Sequence, residues 1–232
     1  VSRLPAAVLL DLDGTLIDTE PTWMAQEQAI AAEFGGVWTV EQALSCVGNA
    51  LPVTARRLRD EAGVDLREME IAERLLDGVV AALGTGIPWQ PGARRLLCEL
   101  SGERVPVAMV TMSYRRLADR VLADLPAQTF AAVVTGDEVE HGKPHPEPYL
   151  TAAARLGVDP RECLVVEDSP SGLRSGLAAG ASVVAVPHVA PLPPLAGVTV
   201  VPTLADLGLD RIRTLLPGRG IPGPAAVAPT RS

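Results

Sequence analysis

Cysteine, histidine and lysine are all scarce in this chain, and each scarcity closes off a chemistry. The three cysteines, Cys46, Cys98 and Cys163, are odd in number, stand in apolar contexts and lack metal-ligand spacing. Buried free thiols are expected there, in preference to a disulfide or a thiol nucleophile. The three histidines, His141, His145 and His188, have no cysteine or histidine partner at the spacing of a zinc site, so they are read as structural residues. No stretch is long and apolar enough to span a bilayer, and the start lacks the apolar block of a secretory leader. A formal net charge of −8 and a pI near 4.9 argue against a nucleic-acid partner. The expectation is a cytoplasmic protein, a monomer or weak dimer, with neither nucleic acid nor membrane as a partner.

Lysine is the most telling shortage. Of 20 basic residues only Lys143 is not arginine. Generic surface charge has gone to arginine, which singles out the remaining ammonium. An ammonium is a compact point charge that fits between a carboxylate and a phosphoryl oxygen, whereas a guanidinium is a wider planar fork. Gly142 before it and Pro144, Pro146 and Pro148 after it read as a stiff loop leading into a helix.

What is present is a set of carboxylates at strand ends. The apolar run from Ala6 to Leu10 has the character of a buried parallel strand, and Asp11-Leu12-Asp13-Gly14 follows it directly. Ligands of open α/β sheets bind at the carboxyl ends of such strands. In extended backbone, residues i and i+2 point the same way, so Asp11 can attack a substrate while Asp13 exchanges a proton with it. A lone D-x-D-G also fits a helix-capping turn. A second strand, Cys163 to Val166, ends in Glu167 and Asp168, and a hard cation such as Mg²⁺ takes carboxylate and phosphate oxygens. A third, ending at Thr111, offers a hydroxyl and the following amides to a phosphoryl group.

The segments DLDGTLID, Thr111 after VAMV, Lys143 in GKPHPEPY, and Glu167 with Asp168 in VVEDSPSG resemble, in this order, the four motifs of the haloacid dehalogenase-like hydrolases. The likeness spans roughly residues 6 to 208 and is greatest to the branch holding phosphoglycolate phosphatase, sugar-phosphate phosphatases and β-phosphoglucomutase. The resemblance implies a Rossmann-like core, a helical cap and a Mg²⁺-dependent phosphoaspartate mechanism acting on a small phosphorylated metabolite. It makes Asp11 the nucleophile and Asp13 the acid and base. It assigns the metal to Asp11, the Asp13 backbone carbonyl, Asp168 and, directly or through water, Glu167. Thr111 and the amides of Leu12 and Met112 complete a phosphate cradle with Lys143. Ser113, and from the cap Trp23, Gly48 and Asn49, are expected near the substrate. Where β-phosphoglucomutase carries charged cap groups, Trp23, Val47 and Leu51 stand here, which favours a phosphatase. The alternatives are a phosphomutase and a catalytically weak regulatory binding module.

The rest of the pattern fits an interrupted α/β core. Helical spacing recurs from Pro21 to Leu83 without a convincing strand, GTGIPWQPG reads as a linker, and helices then alternate with strands near 105–110, 130–135, 163–166, 182–186 and 198–201. The expected division is a core of 1–18 and 91–212, a helical cap with linkers at 19–90, and a disordered tail at 213–232.

Overall fold

Short, unbroken apolar segments form the middle of the molecule. The computed structural model describes residues 3–189 and 192–215. Strands β1 (Ala7–Leu10), β2 (Val107–Val110), β3 (Ala132–Val134), β4 (Cys163–Glu167), β5 (Ser182–Ala185) and β6 (Val198–Val200) make one parallel sheet in the order β3-β2-β1-β4-β5-β6. Every residue of β1, β2 and β4 is buried, because helices cover both faces. Val8 and Leu10 face one core cluster and Ala7 and Leu9 the other, as the two-residue period of a strand requires. The fold is α/β and Rossmann-like, as the alternation implied.

Helices α1 (Glu20–Glu33), α2 (Val40–Leu44), α3 (Leu51–Ala62) and α4 (Glu68–Ala82) all lie between β1 and β2 in sequence. Ile30, Leu58, Ile71, Leu75 and Val79 bury their side chains among these helices and are continuous with the cluster on one face of the sheet. The chain's two crossings into and out of this segment pair with each other. Asp18 donates its amide to Pro88 O at 2.8 Å, and Gln90 donates its own to Leu16 O at 2.9 Å.

After α5 (Ala93–Gly102), helix α6 (Arg115–Leu122) packs on the same side of the sheet through Leu117, Ala118 and Val121. Helices α7 (Glu147–Leu156) and α8 (Pro170–Ala178) cover the opposite side through Tyr149, Ala152, Ala153 and Leu173. Two expectations need correction. Cys98 is exposed, whereas Cys46 and Cys163 are buried, because α5 turns Leu96, Leu97 and Leu100 inward and leaves Cys98 on its outer face. The tail was placed too early. Residues 213–215 belong to α9 (Leu209–Leu215), which buries Ile212 and packs Leu209 and Leu215 at helical spacing, and 216–232 lie outside the described residues.

Strand order reverses between β1 and β4. The chain passes from β1 through β2 to β3 on one side and from β4 through β5 to β6 on the other, so the crevice for ligands opens at the carboxyl ends of β1 and β4. Leu10 is registered against both Met109 and Val166, which sets the residues after β1, β2 and β4 side by side.

Candidate active site

The register brings Asp11, Thr111, Glu167 and Asp168 to one rim, and Lys143 reaches it from the loop before α7. Lys143 is buried, and its Nζ donates to Asp11 Oδ1 at 2.6 Å, to Glu167 Oε1 at 2.5 Å and to Val110 O at 2.9 Å. All three ammonium donors are thereby engaged. Burial alone would favour the neutral amine, but Asp11 and Glu167 outweigh it and raise the Lys143 pKa.

Glu167 is as fully satisfied as its lysine. Its Oε1 also accepts from Tyr149 Oη at 2.7 Å, and its Oε2 accepts from Ser169 Oγ at 2.9 Å and from the amides of Asp168 and Ser169, each at 3.2 Å. A Cβ on Gly172 would lie 1.8 Å from Glu167 Oε1, so only glycine lets α8 start this close to the carboxylate.

Asp168 is different. Its Oδ1 accepts from Thr15 Oγ1 at 3.3 Å, whereas its buried Oδ2 has no protein partner among the described residues. Gly14 has φ +84°, and a Cβ there would stand 2.0 Å from that same Oδ2. The turn after Asp13 therefore needs glycine twice over, for its backbone and for its closeness to Asp168.

Burial lifts Asp11 to about 8, with Lys143 working against the rise and Glu167 and Asp13 adding to it. Burial, followed by the charges of Asp11 and Glu167, pushes Asp168 well above the usual carboxylate range. Oxygens of Asp11, Glu167 and Asp168 lie within 4.8 Å of one another. Three buried carboxylates around one ammonium, with an orphaned oxygen among them, are the donor set a hard divalent cation takes.

Asp13 faces the crevice beside Asp11, and four side chains hold its carboxylate. Thr19 Oγ1 at 2.6 Å and Trp23 Nε1 at 3.2 Å donate to Oδ1, while Ser113 Oγ at 2.8 Å and Thr111 Oγ1 at 3.0 Å donate to Oδ2. Thr111 Oγ1 in addition accepts from the Ser113 amide at 3.0 Å. Trp23, expected near the substrate, thus contacts a carboxylate of the rim.

Met112, Ser113, Gly48 and Asn49 line the cavity in front of Asp11 and Asp13. The Leu12 side chain is wholly buried and turned away from it, so Leu12 has only its backbone to offer. The Met112 sulfur also accepts the Lys143 amide at 3.2 Å.

The sequence reading missed Tyr149, Thr15, Thr19, Ser169, Glu20 and Glu27. Glu20 and Glu27 line the cavity from α1 and are buried. Glu27 Oε2 accepts from Trp38 Nε1 at 2.8 Å. Burial raises Glu20 to about 8, with Asp13 contributing, and raises Glu27 to about 7 against the Trp38 hydrogen bond. Their spacing of seven residues, in step with Trp23 and Ile30, marks one helix face and was a legible signal.

Fold and site together define an α/β enzyme that gathers buried carboxylates around one lysine at the switch point of a parallel sheet. The chain belongs to the haloacid dehalogenase-like hydrolase family, whose model matches residues 8–186. It is 36% identical over 195 residues to hexitol phosphatase A of Escherichia coli, covering 83% of this chain and 88% of that protein. It is 33% identical over 191 residues to a bifunctional riboflavin kinase/FMN phosphatase of Arabidopsis thaliana, covering 82% of this chain but only 50% of that longer protein. Among solved structures, CbbY from Rhodobacter sphaeroides in complex with phosphate superimposes with a TM-score of 0.82 at 26% identity, over 90% of this chain and 99% of that one. Among the described residues no helix is long and apolar enough to cross a membrane.

Proposed function

We propose that this chain is a Mg²⁺-dependent phosphatase that hydrolyses a small sugar or sugar-alcohol phosphate through an aspartyl-phosphate intermediate. The observation that carries the reading is the buried Asp11–Lys143–Glu167 contact, with the carboxylate of Asp13 beside it in the same cavity. Asp11, the Asp13 backbone carbonyl and Asp168 would hold the ion, with Glu167 bracing Lys143 behind them. The ion would supply charge neutralisation for the incoming phosphate.

Asp11 attacks phosphorus, and the bond to the leaving oxygen breaks as Asp13 gives that oxygen a proton. Water then loses a proton to Asp13 and attacks the same phosphorus, freeing phosphate and restoring the Asp11 carboxylate. Lys143 is placed to stabilise charge on the phosphoryl oxygens, and the amides after Asp11 and Thr111 to cradle them. Residues 1–18 and 91–215 serve as the catalytic core and 19–90 as the cap that supplies Trp23, Gly48 and Asn49.

Two observations support the substrate class. One relative that matches over most of its length is a hexitol phosphatase. Among the described residues Lys143 is the only cation lining the cavity, while Glu20 and Glu27 face it from the cap. That lining suits hydroxyl groups and disfavours a second phosphate, so a phosphatase is supported over a phosphomutase.

The test is phosphate release from a panel of sugar phosphates, sugar-alcohol phosphates, phosphoglycolate, nucleotides and pyrophosphate, with and without Mg²⁺. Mg²⁺-dependent turnover of a neutral-bodied monophosphate is expected. Conversion of a sugar phosphate to its isomer without release of phosphate would show a mutase instead.

A further inference from the structure

We propose that His141, His145 and Glu147 form a separate metal site for a divalent transition ion such as Zn²⁺, on the loop that carries Lys143. The three residues sit at i, i+4 and i+6, and their ligand atoms lie within 4.8 Å of one another, which corrects the reading of these histidines as lacking a partner at metal spacing. His141 Nδ1 is 3.0 Å and His145 Nδ1 3.9 Å from the same carboxylate oxygen, Glu147 Oε2. Zinc holds nitrogen and oxygen ligands at about 2.0–2.1 Å, so neighbouring ligands in a tetrahedral shell stand roughly 3.3 Å apart. The two observed separations bracket that figure. His145 Nδ1 here accepts the Glu147 amide at 3.3 Å, so chelation through that nitrogen exchanges this bond for the ion.

The backbone beneath the trio is already fixed. Glu147 Oε1 accepts the Glu140 amide at 2.8 Å and Oε2 the His141 amide at 3.0 Å, which orients the carboxylate at the start of α7. The His145 amide bonds Gly142 O at 3.0 Å, and Ser175 Oγ on α8 bonds His145 O at 2.6 Å. Ligands held by their own backbone lose little freedom on binding an ion.

Both imidazoles are more than half exposed, at 57% and 51% of the side chain, so an ion can enter and water can complete its shell. Two imidazole nitrogens with one carboxylate select zinc, copper or nickel over magnesium, which prefers oxygen. The acid cluster at Asp11, Glu167 and Asp168 is all oxygen, so the two sites differ in kind. Bound at the two ends of the segment 141–145, such an ion would clamp the loop from which Lys143 reaches Asp11.

The experiment is a calorimetric titration of Zn²⁺ into the full chain, freed of metal by a chelator and held in excess Mg²⁺ so that the acid cluster is occupied. One ion is expected to bind per chain. The variants His141→Gln and His145→Gln should each weaken it at least about tenfold, a change on the scale that metal sites show when their ligation is disturbed. Glu147→Gln should also weaken it, and Asp168→Asn should leave it unchanged. Circular dichroism and phosphate release in Mg²⁺ alone verify that the histidine variants fold. Absence of uptake in excess Mg²⁺, uptake undiminished in the His141→Gln/His145→Gln double variant, or loss of uptake in Asp168→Asn would each overturn the assignment.

Discussion

Replacing Lys143 with arginine keeps the charge and changes only its shape, which makes Lys143→Arg the sharpest probe of the site. The lysine side chain is 1% exposed, its Nζ lies 5.1 Å from the centre of the Tyr149 ring, and its three donors meet acceptors at 2.5 to 2.9 Å that converge on one point. A guanidinium spreads five donors across a rigid plane and cannot place its charge at that point. Forcing the longer, wider group into so closed a space costs about 1–3 kcal/mol. For a chain of this length each kcal/mol lowers Tm by roughly 2–4 °C. The larger effect falls on turnover. Removing one preorganised electrostatic group costs about 10²- to 10³-fold, so phosphate release should fall by at least about a hundredfold. The assay is kcat and kcat/KM at saturating Mg²⁺, with thermal melts to separate misfolding from lost catalysis. Near-normal turnover in a folded arginine variant would refute the reasoning, because it would show that diffuse positive charge is enough.

The other expectations follow from neighbouring groups. Asp11→Asn should abolish phosphate release, because the amide cannot attack phosphorus. Steady-state release above about one per cent of wild type, deamidation excluded, would remove Asp11 from the nucleophile's role. Asp168→Ala should raise the Mg²⁺ concentration for half-maximal activity at least about tenfold, as loss of an oxygen ligand would. Glu167→Ala should instead lower Tm more than Asp168→Ala does, because Glu167 holds Lys143, Tyr149, Ser169 and two backbone amides. The reverse order of melting temperatures would contradict that division of labour. Glu27 has a pH signature. Its folded pKa of about 7 lies above the ordinary 4.5, so the folded state binds the proton more tightly. The stability it contributes is therefore complete at low pH and is lost as pH rises from about 4.5 through 7. Glu27→Gln keeps an acceptor for Trp38 and removes that loss, so it should raise stability at pH 8 relative to pH 5 by an amount on the order of 2 kcal/mol. Parallel melting curves of wild type and variant at the two pH values would refute the account.

The sequence by itself determined the sheet and most of the residues at its rim. Uninterrupted apolar segments as short as Ala7–Leu10 and Cys163–Val166 read by length and apolarity as strands buried on both faces, which puts the acid just beyond each at a carboxyl end where ligands dock. The scarcity of lysine pointed to Lys143 without any structure. Tertiary structure alone decided the partners. Lys143 meets Asp11 across 132 positions and Glu167 across 24, and Thr111 meets Asp13 across 98. Trp23, only ten positions from Asp13, reaches it because α1 turns back over the crevice. The same holds for Glu20 and Glu27, whose spacing showed a shared helix face but not that the face overlooks the cavity, and for Cys98, whose apolar neighbours concealed an outward position. Local periodicity specifies which residues share a face. Which faces meet follows from strand register and helix packing, and these are settled only when the whole chain buries its core.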